Sequence, residues 1–287
     1  MSGITIEQGR SFKVDTSLPI EDVLGTLLTV KPELPTKREL ITFLGGPENI
    51  PEAQTRGWYR RAWWGHYAAR VLYQYSIAGR GAEISRLVAP VDTTQLHDAL
   101  TANKGVILAG NHLGPYPAMY EGLRGAVSET ILTLTSNKQR SGPDMVHVTS
   151  PEEQKLSLVR SLLCLRKNGI VRLAPDGRVV GDSTLFFRFM GKRVRMANGV
   201  GILAQVSGAR TLYCTATWIA SNRIQIRMEP LRVEAGMDGD PDAGAKWCVA
   251  YLRRLEAQMR ARPQDIGFRS GHILAHLGRL KHYPGAR

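Results

Sequence analysis

The chain has 287 residues, 43% of them hydrophobic, and a formal net charge of +13; such a length buries a sizeable core and stands at the upper edge of single-domain size. No run of roughly 18 uninterrupted apolar residues occurs, and the opening MSGITIEQGRSFKVD lacks a signal peptide's apolar stretch, so a transmembrane helix is excluded and a cytoplasmic location is expected. The positive charge implies a field that attracts polyanions, whether nucleic acid, anionic lipid or a phosphorylated cofactor.

Residues 1–84 read as an N-terminal helical arm or cap, and residues 85–287 as the main domain. Within the arm, the apolar stretches 23–30 and 39–44 each predict a short helix. Residues 56–75 predict a longer one, with Trp58, Ala62, Gly65, Ala69 and Leu72 on one face at helical spacing. Its remaining aromatics, including the Trp63-Trp64 pair, and its arginines must face elsewhere, which suits packing between arm and domain, a lipid interface, or stacking on nucleic acid.

From residue 92 the pattern becomes β-α-β. Asp92 or Thr93 can cap a helix through Leu100, and VILAG then forms a wholly apolar strand, expected to be buried on both faces. A helix over 118–123 and the strand ILTLT at 131–135 complete a crossover unit, which places both strands in a parallel sheet. In the next helix Leu156, Val159, Leu162 and Leu163 define an apolar face, Arg166 and Lys167 suit the negative C-terminal end, and Gly169 is placed for the C-cap. Strand IVRLA follows, then a helix over 198–207, an antiparallel hairpin LYCTATWI and RIQIRMEPL turning at Ser221 and Asn222, and a closing helix KWCVAYLRRLEAQMRAR. The fold class expected is α/β, with a mostly parallel central sheet, helices on both faces and an antiparallel edge hairpin.

Cys164, Cys214 and Cys248 lie far apart inside apolar patterns and read as buried reduced thiols. His66, His97, His147, His272, His276 and His282 show no zinc-type spacing, so no metal site is expected. G-x-G-x-x-G after a strand, G-x-x-x-x-G-K-[ST] and G-x-S-x-G are all missing, which weighs against dinucleotide use, NTP hydrolysis and α/β-hydrolase chemistry.

Ligands of open α/β sheets bind outside the carboxyl ends of the strands. Two polar segments emerge there: GNHLGPYP (110–117) after VILAG, and PDGR (175–178) after IVRLA. An imidazole with an ordinary pKa of about 6.5 can hold a proton briefly at neutral pH, which makes His112 a candidate general base. Asp176, Gly177 and Arg178 form a tight turn in which Arg178 could hold a phosphate or polarise a carbonyl oxygen. Arg188, Lys192, Arg193 and Arg195 alternate with Phe187, Phe189, Val194 and Met196 and would line up positive charge for the phosphates of coenzyme A, a carrier-protein arm or RNA.

The order VILAGNH with a following glycine, PDGR, FFRFMGKRVRMANGVGILAQVSGART and ARPQDIGF resembles the lipid A lauroyl/myristoyl acyltransferase family, over roughly residues 85–270, and with it the wider glycerol-phosphate acyltransferase fold. The resemblance implies that His112 takes the proton of an acceptor hydroxyl or amine as it attacks an acyl donor's carbonyl. Asn111 and Tyr116 in the same loop, Arg178, and the cluster of Arg188, Lys192, Arg193 and Arg195 would then bind substrate. The family places a carboxylate five residues after the histidine, where this chain has Pro117. Three ways out stay open: another acid, Glu121 or Asp176, reaches His112 through space; the imidazole works alone; or the catalytic role has moved.

The leading expectation is an acyltransferase that holds no bound cofactor, takes an acyl thioester of coenzyme A or a carrier protein as co-substrate, and serves a soluble biosynthetic acceptor. A second keeps the fold and takes an aminoacyl-tRNA as donor, with the basic surface on the tRNA backbone. A third is a scaffold that has lost catalysis and binds RNA or a membrane periphery.

Overall fold

The computed structural model describes residues 4–7, 11–29, 55–136, 142, 144–177, 184–190, 192–233 and 242–265. A hairpin of β1 (Ile4–Glu7) and β2 (Ser11–Val14) and helix α1 (Ile20–Thr29) precede the long helix α2 (Thr55–Ile77), followed by α3 (Gly81–Leu87) and α4 (Thr94–Leu100). Next come β3 (Val106–Ala109), α5 (Pro117–Arg124), β4 (Ile131–Thr135), β5 (Met145–His147), α6 (Pro151–Arg166) and β6 (Ile170–Leu173). A hairpin of β7 (Thr184–Phe189) and β8 (Lys192–Ala197) leads to α7 (Gly199–Ser207), the hairpin β9 (Arg210–Ala220) and β10 (Arg223–Pro230), helix α8 (Ala243–Ala261) and a 3-10 turn (Pro263–Asp265). The predicted helix over 39–44 lies outside the described residues.

The central sheet has the order β10-β9-β3-β6-β4-β5 and is parallel except for β10, which pairs antiparallel with β9 at the edge. The protein is therefore α/β with a mostly parallel sheet, as the crossover pattern predicts. The hairpin of β7 and β8 forms a separate two-stranded sheet.

Strand β3 shows why VILA is apolar throughout. Val106 and Leu108 join a cluster with α4, α5 and alternate residues of β9, while Ile107 meets Leu165 and Leu203, and Ala109 meets Trp247, Tyr251 and Leu255. A strand sandwiched between helices has no solvent face on which to place a polar residue. The N-terminal elements join the first of these cores: Ile20, Val23, Leu24 and Leu27 of α1 and Val71, Leu72 and Tyr75 of α2 pack into one cluster with Val106, Leu108 and Ala216. Two hydrogen bonds tie α1 down, from Ile20 N–H to Glu83 Oε2 (3.0 Å) and from Tyr75 O–H to the Leu18 carbonyl (2.7 Å). No helix among the described residues is long and apolar enough to cross a membrane.

Helix α6 departs from expectation at two points. Ser150 and Glu153 close a capping box at its start, which fixes its phase. Leu156, Val159 and Leu163, expected on the core face, are 57%, 55% and 51% exposed, and the sheet instead receives Ser157, Ser161 and Leu165, with Leu158 and Leu162 partly buried. Apolar residues occur nearly all round this helix, so periodicity alone does not select a face, and the small serines let the helix lie close to the sheet. At its other end the left-handed position is taken by Asn168 (φ 57°), not by Gly169. Asn tolerates that conformation, and Asn168 Oδ1 also accepts from Gly105 N–H at 3.0 Å. Gly169 is required for space, since a Cβ there would stand 2.6 Å from Cys164 Sγ.

Burial pushes the thiols of Cys214 and Cys248 up to about 12, which keeps them as protonated, inert core groups. Cys164 is half-buried and shifted the same way.

The placement of α6 has a direct test. Leu156→Lys should change stability by no more than about 0.5 kcal/mol, whereas Leu165→Ala should cost about 2–5 kcal/mol. Urea unfolding midpoints of the two variants measure this, and equal losses would mean that the helix is rotated.

Candidate functional site

Strands β3 and β6 are parallel neighbours in the register Ala109↔Leu173. Each chain leaves the sheet at the same edge, and counting three residues past that pair gives His112 on one side and Asp176 on the other. The register thus delivers an imidazole and a carboxylate to adjacent positions, although 64 residues separate them in sequence.

Their contact is two-pronged. The His112 backbone N–H donates to Asp176 Oδ2 at 2.8 Å, and His112 Nδ1 lies 2.8 Å from Asp176 Oδ1. A carboxylate can only accept, so the ring nitrogen that faces it, Nδ1, carries a hydrogen. The Asp176 side chain is fully buried while that of His112 is 20% exposed, which shields the acid from water and leaves the base reachable. Gly177 permits the approach, because a Cβ there would come within 3.4 Å of His112 Cε1 and 3.2 Å of the Ala174 carbonyl. The Tyr116 ring meets the imidazole edge-on at 4.9 Å, so it bounds the space in front of the base.

Of the two acids weighed for the role left open by Pro117, the fold brings Asp176 to His112 and turns Glu121 elsewhere. Pro117 opens helix α5 at its first position, where its missing N–H costs nothing. One turn on, Glu121 Oε1 accepts from Ser76 Oγ of α2 at 2.7 Å, and the Glu121 carbonyl accepts from Ser85 Oγ of α3 at 3.0 Å. Glu121 accordingly ties α5 to the N-terminal helices.

Beneath the turn lies a polar network in which Asn111 is fully buried. Its Nδ2 donates to Tyr213 O–H and Gln258 Oε1, both at 2.9 Å, and its Oδ1 accepts from Leu113 N–H at 3.0 Å. Its amide is therefore engaged in shaping the turn. Tyr213 O–H donates to Gln258 Oε1 at 2.7 Å, and Tyr251 O–H donates to the Gly110 carbonyl at 2.8 Å. Burial, and after it the Asp176 charge, raises both phenols above their ordinary value, so both remain protonated donors. Sequence reasoning missed Tyr213, Tyr251 and Gln258. The signal was present on α8, where Tyr251 and Gln258 sit two turns apart on the face that also carries Trp247, Cys248 and Leu255. A glutamine beside an otherwise apolar stripe needs a buried polar partner.

The cationic segment is the hairpin of β7 and β8. Arg188 stands directly opposite Arg193, and Arg195 opposite Phe186, so these three arginines share one face. Lys192 pairs with Phe189 in the ladder. Like charges opposite each other on a ladder repel, and an anion lying across them removes that cost. The Arg193 guanidinium covers the Phe186 ring at 4.1 Å, and Arg195 Nε donates to Thr184 Oγ1 at 2.6 Å. The opposite face of the hairpin, through Phe189, Val194 and Met196, packs into the cluster that also contains Leu113, the neighbour of His112. Arg178 lies outside the described residues, as do His272, His276 and His282. No group of three or more His, Cys, Asp or Glu side chains suited to a metal occurs among the described residues.

No protein-family model matches the chain. A stretch of 115 residues is 31% identical to the ATP-dependent protease subunit HslV of Paramagnetospirillum magneticum (strain ATCC 700264 / AMB-1), covering 37% of this chain and 56% of that protein. The chain thus spans little more than half the length of the curated relative it matches.

The dyad geometry predicts the tautomer. Long-range ¹H–¹⁵N spectra should show neutral His112 with its hydrogen on Nδ1. Asp176→Ala, which leaves two donors without their acceptor, should lose that preference and destabilise by about 1–3 kcal/mol for each buried group left unpaired. A wild-type spectrum with the hydrogen on Nε2 would contradict the arrangement.

Proposed function

We propose that the protein is an acyltransferase of the glycerol-phosphate acyltransferase type, in which Asp176 takes the part of the acid that the family places five residues after the histidine. The single observation that supports this best is the pair of 2.8 Å contacts from the Asp176 carboxylate to the ring and backbone nitrogens of His112. In this reading His112 Nε2 removes the proton of an acceptor hydroxyl or amine as its oxygen or nitrogen attacks the acyl carbonyl. The tetrahedral intermediate then collapses, the bond to the donor's sulfur or oxygen breaks, and the imidazolium returns the proton to that leaving group. Asp176 holds the ring in the productive tautomer and stabilises its transient charge, as the buried acid does in Ser-His-Asp triads.

The arginine face of the hairpin is the proposed seat of the donor's phosphates. A thioester of coenzyme A or of a carrier protein supplies phosphate there, and the acceptor in this reading is a soluble biosynthetic one. The net charge of +13 and the same arginine face favour a second reading, in which the donor is the ester of an aminoacyl-tRNA and the hairpin follows the RNA backbone. Peptide hydrolysis, the activity in the name of HslV, would give the arginine face no role. A scaffold without catalysis would have no need of a dyad with a buried acid and a reachable base.

Release of free thiol from a series of acyl-coenzyme A esters, with hydroxylamine as surrogate amine, tests the thioester reading; deacylation of charged tRNA under the same conditions tests the other. His112→Ala should reduce the active one by about 10²–10⁴, and Asp176→Asn should lower it through the wrong tautomer. Activity with either donor that survives both substitutions unchanged would overturn the proposal.

A further inference from the structure

A cavity that the proposed chemistry does not use opens between α1, α2, the end of β9 and the 3-10 turn, with a volume of about 590 Å³. That is within the range of a small-molecule site, roughly 300–1,000 Å³. Leu27, Leu28, Trp63, Trp64, Trp218 and Ile219 give it apolar walls. Trp64 and Trp218 meet edge to face at 4.8 Å, so the ring surfaces form a built aromatic corner. The mouth is apolar as well, since Leu28 is 59% and Ile219 53% exposed.

Indole walls by themselves suit a cation as well as a ring. Of the two guanidiniums on the lining, Arg61 decides against the cation. Arg262 is committed to Asp265 Oδ2 at 2.7 Å and to the Trp218 carbonyl at 3.1 Å. Arg61 is exposed at the rim, and it repels a positive ligand and attracts a negative one. Aromatic rings packed against indole gain free energy beyond their buried area, which favours a flat ring over a chain.

We propose that this cavity binds a small aromatic carboxylate, with its ring against Trp64 and Trp218 and its charge toward Arg61. The site is joined to the catalytic turn: Gly114 N–H, two residues from His112, donates to the Asp265 carbonyl at 2.8 Å, and Asp265 lines the cavity. The inference does not depend on acyl transfer, because binding is measured without turnover.

Calorimetric titration of the full chain with 2-naphthoate, 2-naphthalenemethanol and decanoate tests it. The expected result is saturable 1:1 binding of 2-naphthoate, tighter than that of the uncharged alcohol and of the aliphatic acid. Arg61→Gln and Ile219→Glu, both at exposed rim positions that leave the core intact, should each weaken it about tenfold, a loss of about 1.4 kcal/mol. His112→Ala should leave the affinity unchanged. Absence of saturable binding, equal affinity for the alcohol, tighter binding of decanoate, or indifference to both rim substitutions would overturn the assignment.

Discussion

The site depends on one carboxylate lying between two strand ends. Asp176 accepts from the His112 backbone and stands against the His112 ring within a single 2.8 Å shell, so the same group fixes the path of the turn after β3 and the orientation of the imidazole it carries. A buried acid is tolerated only where hydrogen-bond donors surround it. Here they come from the turn itself, so the acid and the turn hold each other in place. That arrangement explains why a proline can occupy the position five residues beyond His112. Relieved of providing an acid, Pro117 starts α5 cleanly, and α5 can direct Glu121 toward Ser76 and the N-terminal helices.

Much of the fold was legible because the apolar patterns are strongly periodic or wholly apolar. The strands VILA, ILTLT and IVRL, the antiparallel hairpin at the sheet edge and the closing helix all stand where the pattern puts them. Short elements with mixed composition were not legible: the hairpin of β1 and β2, helix α3 and the three-residue strand β5 gain their order from packing against larger neighbours. The face of α6 was misread for a related reason. When leucine and valine ring a helix, the capping box and the fit of Ser157 and Ser161 against the sheet choose the buried side, and neither is a property of hydrophobic periodicity.

At the site, His112 and Asp176 were recognisable separately as polar residues following buried strands. Their pairing was left as one alternative among several, because it needs the register of two strands 64 residues apart. The supporting network is harder still to read. Tyr213 and Gln258 reach Asn111 from β9 and α8, 102 and 147 residues away along the chain. A sequence shows polar residues in apolar stripes but not which of them meet. In the cationic segment the alternation was recognisable in the sequence, and the hairpin pairing that sets Arg188, Arg193 and Arg195 on one face comes from the register.

The contrast between a local dyad and this one is mechanical. Where histidine and acid sit five residues apart, one short segment determines their geometry, and a shift of the surrounding sheet moves both together. Where the acid comes from the neighbouring strand, the distance between base and acid is set by the ladder between β3 and β6, which is buried between helices on both faces. A close-packed interior resists displacement, so the ladder is a stiffer spacer than a loop. Stiffness has a cost in evolvability: any change that slips the β3–β6 register by one residue separates the dyad entirely, since alternate residues of a strand face opposite sides. The turn after His112 passes so close to β9 at Gly114, in the left-handed region at φ 57°, that a Cβ there would stand 2.9 Å from the Ala216 carbonyl. That contact and the Gly114–Asp265 hydrogen bond join the dyad's turn to the aromatic cavity by backbone alone. Side chains in the cavity can therefore vary with the ligand while the geometry of base and acid stays fixed by the sheet.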